Sequence, residues 1–125
     1  MRVPKPDDLR AGVWTLRCLA RCRHLDEHDV RTVTFPSSAR IPGPGGRAVA
    51  RLLRDREDKC LSTALVAQAW RSDHGDPVDV VIGVTAPSSG FTAHAWLADA
   101  PAAASEGHQE IHRIPPKASV SSRGD

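Results

Sequence analysis

Leu9, Val13, Leu16 and Ala20 recur at helical spacing through residues 8–23, with most arginines of the stretch on other faces. Apolar residues three and four apart share one side of a helix, so the pattern predicts an amphipathic helix packed on a core through that stripe. Pro4 and Pro6 mark its beginning. The runs Phe35-Pro36-Ser37-Ser38 and Ile41-Pro42-Gly43-Pro44-Gly45-Gly46 predict a loop or linker. Proline has no N–H to give and glycine costs backbone entropy, so neither sustains helix or central strand. Ala48, Val49, Leu52 and Leu53 then form a narrow stripe that predicts a short helix over 47–55. After Asp55, Glu57 and Asp58, Cys60 opens a third helix in which Leu61, Ala64, Leu65 and Ala69 share a face. Gly75 and Pro77 stop it, and Asp58 stands where a cap belongs.

From residue 78 the period changes to two. Val78, Val80, Ile82 and Val84 point one way, and their β-branched side chains favour a strand. Pro87-Ser88-Ser89-Gly90 is the turn. The next run puts Phe91, Ala93, Ala95 and Leu97 on one face and Thr92, His94 and Trp96 on the other. A third strand is expected over 108–114, and the tail 115–125, rich in Pro, Ser and Gly, is expected to be disordered. Helices first and consecutive antiparallel strands second give an α+β arrangement, with the helices against one side of the sheet. Residues 1–114 read as one domain, helical over about 8–75 and sheet over about 78–114, without an internal repeat.

Length and charge narrow the functions open to such a domain. A chain of 125 residues holds a single domain of modest core. The net charge of +2, from 17 basic and 15 acidic residues, is too small for a nucleic-acid footprint, so no nucleic acid is expected as a partner. The arginines do cluster, at Arg10, Arg17, Arg21, Arg23 and Arg31 and again at Arg47, Arg51, Arg54 and Arg56. Such a run is a solvated helix face or a docking surface for an acidic partner. No stretch approaches the roughly 20 apolar residues of a membrane span, and the amino terminus lacks the apolar centre of a signal peptide. The expectation is a cytoplasmic protein with no membrane partner. Three cysteines, an odd number, argue for reduced thiols over a disulfide framework.

One of those thiols is placed for chemistry. A thiol attacks a carbonyl as thiolate, and an ordinary cysteine is mostly protonated at neutral pH. The beginning of a helix presents unpaired N–H groups and the positive end of the helix dipole, and Cys60 is there. Its own backbone N–H is a candidate oxyanion donor. His94, mid-strand between Ala93 and Ala95, is the candidate base. For the group that orients the imidazole, a tight reversal near Ala100 would set Glu106 opposite His94 on the returning strand. Asp99 competes, because a bend at Asp99-Ala100-Pro101 would redirect it from the far face. Each signal also has a structural explanation: a cysteine at a helix start serves as a small buried hydrophobe, and a strand histidine as surface.

The segments Cys60-Leu61-Ser62-Thr63-Ala64-Leu65, Val80-Val81-Ile82-Gly83-Val84 and Gly90-Phe91-Thr92-Ala93-His94-Ala95-Trp96-Leu97 resemble the transglutaminase-like domain of lasso-peptide leader peptidases. The likeness is close over about a third of the chain and looser through the arginine-bearing helices ahead of Cys60. It implies a papain-like or transglutaminase-like fold, and a cysteine protease with a Cys, His and acidic triad. Such an enzyme removes the leader from a ribosomally made precursor, after which a separate lasso cyclase closes the ring, and it needs no cofactor or metal of its own. The family's leader-recognition element is a small winged-helix-like module, whereas the roughly 59 residues before Cys60 read as helices. The chain therefore resembles the stand-alone protease half of a split system, whose partners are the precursor peptide, a separate leader-binding protein and the cyclase. The family usually carries Asp after the His-Ala-Trp strand, where the aligned position here is Glu106. A non-catalytic scaffold of the same maturation complex and a thiol acyltransferase are the alternative functions.

Four other features have rival readings. Cys18 and Cys22, with His24 and His28, suggest a metal site, yet no second pair completes a zinc pattern, and buried thiols are the expectation. His108 and His112 are expected on one face of the last strand, where they would line the site or simply meet solvent. Trp96 is expected either to shield His94 and line a groove or to pack in the core. Gln68, two turns beyond Cys60, lies too deep for an oxyanion role.

Overall fold

The computed structural model describes residues 6–23, 33–54, 60–85 and 92–116. Helix α1 spans Pro6–Arg21, α2 Gly46–Arg54 and α3 Cys60–Asp73, followed by strands β1 (Val80–Thr85) and β2 (Ala93–Leu97), a short α4 (Ala102–Ser105) and β3 (His108–Ile114). The expected α+β order is present, with the helices on one side of a three-stranded antiparallel sheet. The cap expected of Asp58, the turn at 87–90 and the tail from 117 lie outside the described residues.

The first helix turns the other way from its leucine pattern. Leu9, Val13 and Leu16 are more than half exposed, while Ala11, Trp14, Thr15, Cys18 and Leu19 face inward. Both sets have helical periodicity, so the choice rests on packing. Trp14 meets Trp70 edge to face at 5.5 Å and donates its indole N–H to the Pro36 carbonyl at 2.8 Å. A tryptophan buries more apolar surface than any leucine, and this one keeps its polar atom satisfied. Small residues on the same face let the next segment approach, since a Cβ added to Gly45 would lie 3.1 Å from that of Ala11.

Helix α3 is the centre of the molecule. Ala64, Leu65, Val66, Gln68 and Trp70 are buried between α1 and α2 on one side and the sheet on the other. Its carboxyl end is tied to the loop before α2. Asp73 accepts hydrogen bonds from the Ser38 N–H at 2.7 Å and the Ser38 hydroxyl at 2.8 Å. His74 stacks on Trp70 at 4.1 Å, with its two ring nitrogens 2.8 Å from the carbonyls of Trp70 and Ile41.

The strand order is β2-β1-β3, so β2 and β3 both pair with β1 and not with each other. This corrects the expected hairpin that set His94 against Glu106. The residue in register with His94 is Gly83, and beyond Gly83 comes Glu110. The 98–107 segment contains α4 and carries the chain past β1 to its other edge, a route that a tight reversal does not allow. A second correction follows from an irregularity in the β1–β3 register between Ile82 and Gly83. Ile82 pairs with His112 and Gly83 with Glu110, leaving Ile111 as an extra residue, 60% exposed. One extra residue reverses the alternation. His108 therefore shares a face with Gly83 and His94, while His112 falls on the opposite face with Ile82.

Candidate active site

Cys60 is the first residue of α3, where the helix leaves its initial N–H groups without internal partners. Thr63, Ala64 and Ala67 follow on the same side and line a cavity of about 640 Å³ with it. The opposite wall is β2, through His94, Ala95, Trp96 and Leu97, and α2 closes the end with Ala50, Leu53 and Arg54. The small side chains on the α3 side leave room between helix and strand. Thus the two residues expected as nucleophile and base, 34 positions apart in the chain, border one mostly apolar cavity.

His94 lies on the edge strand, and its imidazole is half-buried. Ala95, its neighbour in the strand, turns to the core side and is 6% exposed. His94 therefore belongs to the other face of the sheet. There its ring stacks against Trp96, with centroids 5.7 Å apart and planes at 29°, and meets His108 at 5.1 Å. Trp96 and His108 are themselves 6.1 Å apart, so the three rings form a triangle. Burial, and then the neighbouring His108, lower the pKa of His94 from its ordinary value of 6.5. At neutral pH His94 is a free base.

Trp96 thus lines the cavity and covers the imidazole. What makes room for it is Gly83, a residue whose role the sequence pattern did not reveal. A Cβ on Gly83 would stand 2.6 Å from the Trp96 ring and 2.9 Å from the Gln109 carbonyl. An interruption of a β-branched run by glycine is the sequence signal of such close approach.

The acid proposed from sequence is not brought to His94 by strand pairing. Glu106 is the residue after α4 and is exposed, and its backbone carbonyl lies 3.0 Å from Nδ1 of His108. Asp99 is engaged elsewhere. Both its oxygens accept from the Arg71 guanidinium, at 2.8 and 2.6 Å, and that hydrogen bonding holds its carboxyl below the usual range. Arg71 also binds Asp76, so the guanidinium joins the end of α3 both to the segment before β1 and, through Asp99, to the turn after β2. No spacing rule links residues 71 and 99, so sequence reasoning had no signal for this clamp. Gln68 is likewise structural, its buried amide donating to the carbonyls of Val78 and Ile114 at 2.9 Å each.

The other two thiols lie in the core. Cys18 and Cys22 are 0% and 5% exposed. Burial pushes the Cys18 thiol up to about 12 and the Cys22 thiol up to about 11, which leaves both protonated and unreactive near neutrality. His24 and His28, their suggested companions, lie outside the described residues. Among the described residues no group of three or more His, Cys, Asp and Glu is gathered as for a metal ion. No helix among them is long and apolar enough to cross a membrane.

No curated protein and no solved structure matches the chain. A family model does match, over residues 8–116, and so takes in every element described above from the first turn of α1 to the end of β3. With that match over most of its length, and with helices packed on a three-stranded antiparallel sheet, the chain belongs to the Transglutaminase-like superfamily.

Proposed function

We propose that the protein is a cysteine endopeptidase that removes the leader from a ribosomally made lasso-peptide precursor before macrocyclisation. The superfamily includes both cysteine proteases and acyltransferases. The observation that carries the reading is the shared cavity, which a helix-initial thiol and His94 of the edge strand both border. The likeness of Phe91-Thr92-Ala93-His94-Ala95-Trp96 to the leader peptidases supplies the substrate class.

In this mechanism His94, unprotonated at neutral pH, takes the proton of Cys60. The thiolate attacks the carbonyl at the leader–core junction, and the tetrahedral oxyanion is held by backbone N–H groups at the start of α3. Collapse expels the core amine, which takes the proton from His94, and the leader remains as a thioester on Cys60. Water, deprotonated by His94, then releases the leader and regenerates the thiol. Glu106 is the residue we assign to orient the imidazole. The separate leader-binding protein delivers the precursor, and Arg10 and Arg17, beside the exposed Leu9, Val13 and Leu16, offer a basic and apolar surface for it.

The test is to incubate precursor with the protein and its leader-binding partner and to weigh the products. Free leader and free core are expected, and Cys60→Ala and His94→Ala should each reduce cleavage by about a hundredfold or more. Glu106→Ala should reduce it partially, with Asp99→Ala as the control. Processing by Cys60→Ala would overturn the reading in favour of a scaffold, and a leader–amine conjugate would replace hydrolysis by acyl transfer.

A further inference from the structure

The face of the sheet turned away from the helices carries an imidazole that the mechanism above does not use. His108 on β3 and His94 on β2 belong to strands separated by β1, and their side chains would ordinarily be held apart by a residue of the central strand. Here that residue is Gly83, in register with His94 and two positions from Thr85, the partner of His108. With no side chain at Gly83, the two rings meet across β1 at 5.1 Å, and Trp96 closes the triangle. A carbonyl oxygen only accepts, so the 3.0 Å contact between His108 Nδ1 and the Glu106 carbonyl places a proton on Nδ1. Neutral His108 then has its lone pair on Nε2.

We propose that His108 is a positioning residue for His94: its ring, fixed by the Glu106 carbonyl, holds the His94 imidazole against Trp96, and its charge state sets whether His94 can accept the proton of Cys60. This rests on the reading of Cys60 and His94 as nucleophile and base. Proton transfer from the thiol makes His94 a cation. A neutral His108 with an outward lone pair tolerates that cation, whereas a protonated His108 repels it.

Other charged groups lie near the pair. On β3, Glu110 shares this face and is held by Arg113, which also reaches Asp79 at 3.5 Å. The Glu106 carboxylate is exposed beyond α4. Arg54 of α2 and Cys60 of α3 border the same cavity as His94. His112 is on the opposite face of the sheet.

Nitrogen-detected NMR of the histidine rings tests this without any variant. Neutral His108 is expected as the Nδ1–H tautomer, and the Nε2–H tautomer would overturn the proposal. For function, the rate of Cys60 modification by iodoacetamide is followed against pH by peptide mass spectrometry. His108→Phe, which keeps a ring and removes the charge, should raise the midpoint of His94. The acid limb of Cys60 modification should move in the same direction. His108→Gln is measured beside it, and unchanged His94 midpoints in both would overturn the proposal. Failure of the underlying reading is separately visible, as a Cys60 with ordinary thiol reactivity in the unsubstituted protein.

Discussion

The chemistry of the site is set by single residues, and two of them have opposite roles. His94 must be free to take a proton, and its partly buried place beside His108 lowers its proton affinity. The sign of the effect on stability follows. In the unfolded chain His94 binds a proton at its ordinary pKa of 6.5, and in the fold only at lower pH, so the unfolded state holds more protons in between. Stability from this group is complete above about pH 6.5 and declines as the pH falls through the folded value. Thermal melts from pH 7.5 down to pH 5 should show the decline, and His94→Gln should flatten it; equal slopes in the two proteins would remove His94 as the cause. Gly83 must instead be absent as a side chain. Gly83→Ala places a methyl 2.6 Å from the Trp96 ring and 2.9 Å from a β3 carbonyl. The ring has to leave its seat or the strands have to part, at a cost of about 1–3 kcal/mol. The expected result is a lower melting temperature together with a changed Trp96 fluorescence spectrum.

At the scale of the element, the helices and strands were legible from period, and the faces they bury were legible only in part. β2 has the two faces that alternation assigns, with Ala95 inward and His94 and Trp96 outward. α1 offered two stripes of the same period, and hydropathy alone favoured the leucines. The bulge in β3 was hidden for a different reason: nothing in His108-Gln109-Glu110-Ile111-His112 marks the one residue without a partner. The two faces of α1 differ by several kcal/mol in what a substitution should cost. Trp14→Ala removes a buried indole, its edge contact with Trp70 and its bond to Pro36, and should cost about 3–5 kcal/mol. Val13→Ser and Leu16→Ser, on the exposed stripe, should stay within about 0.5 kcal/mol of the parent. Urea titrations of the three variants check this, and a large loss in Val13→Ser would show that the stripe is covered in solution.

At the scale of the whole molecule, the candidate site depends on how α3 is held against the sheet, since Cys60 begins one and His94 lies on the other. Sequence placed both residues on their elements but set Glu106 opposite His94 in a hairpin that does not form, because the order β2-β1-β3 is a long-range choice. It is made by the chain between β2 and β3 and by what the buried ends of the strands bond to. Gln68 is central to that choice. Its amide is 4% exposed and donates to Val78, just ahead of β1, and to Ile114, at the end of β3. Two strands that are distant in sequence are thereby fixed to one turn of α3, on the helix that carries Cys60. Gln68→Leu keeps the volume and removes both donors, leaving two buried carbonyls to find water or stay unpaired, which costs about 1–3 kcal/mol each. A general loss of stability would follow from any such change, so the informative measurement is local. Amide hydrogen exchange should quicken most at the amino end of β1 and at the carboxyl end of β3, while amides within α1 keep their order of protection. Acceleration spread evenly through the chain would mean that Gln68 only fills space. Acceleration confined to those strand ends, with a parallel fall in the rate of Cys60 modification, would mean that the helix bearing the thiol and the sheet bearing the base are held in register through this one amide.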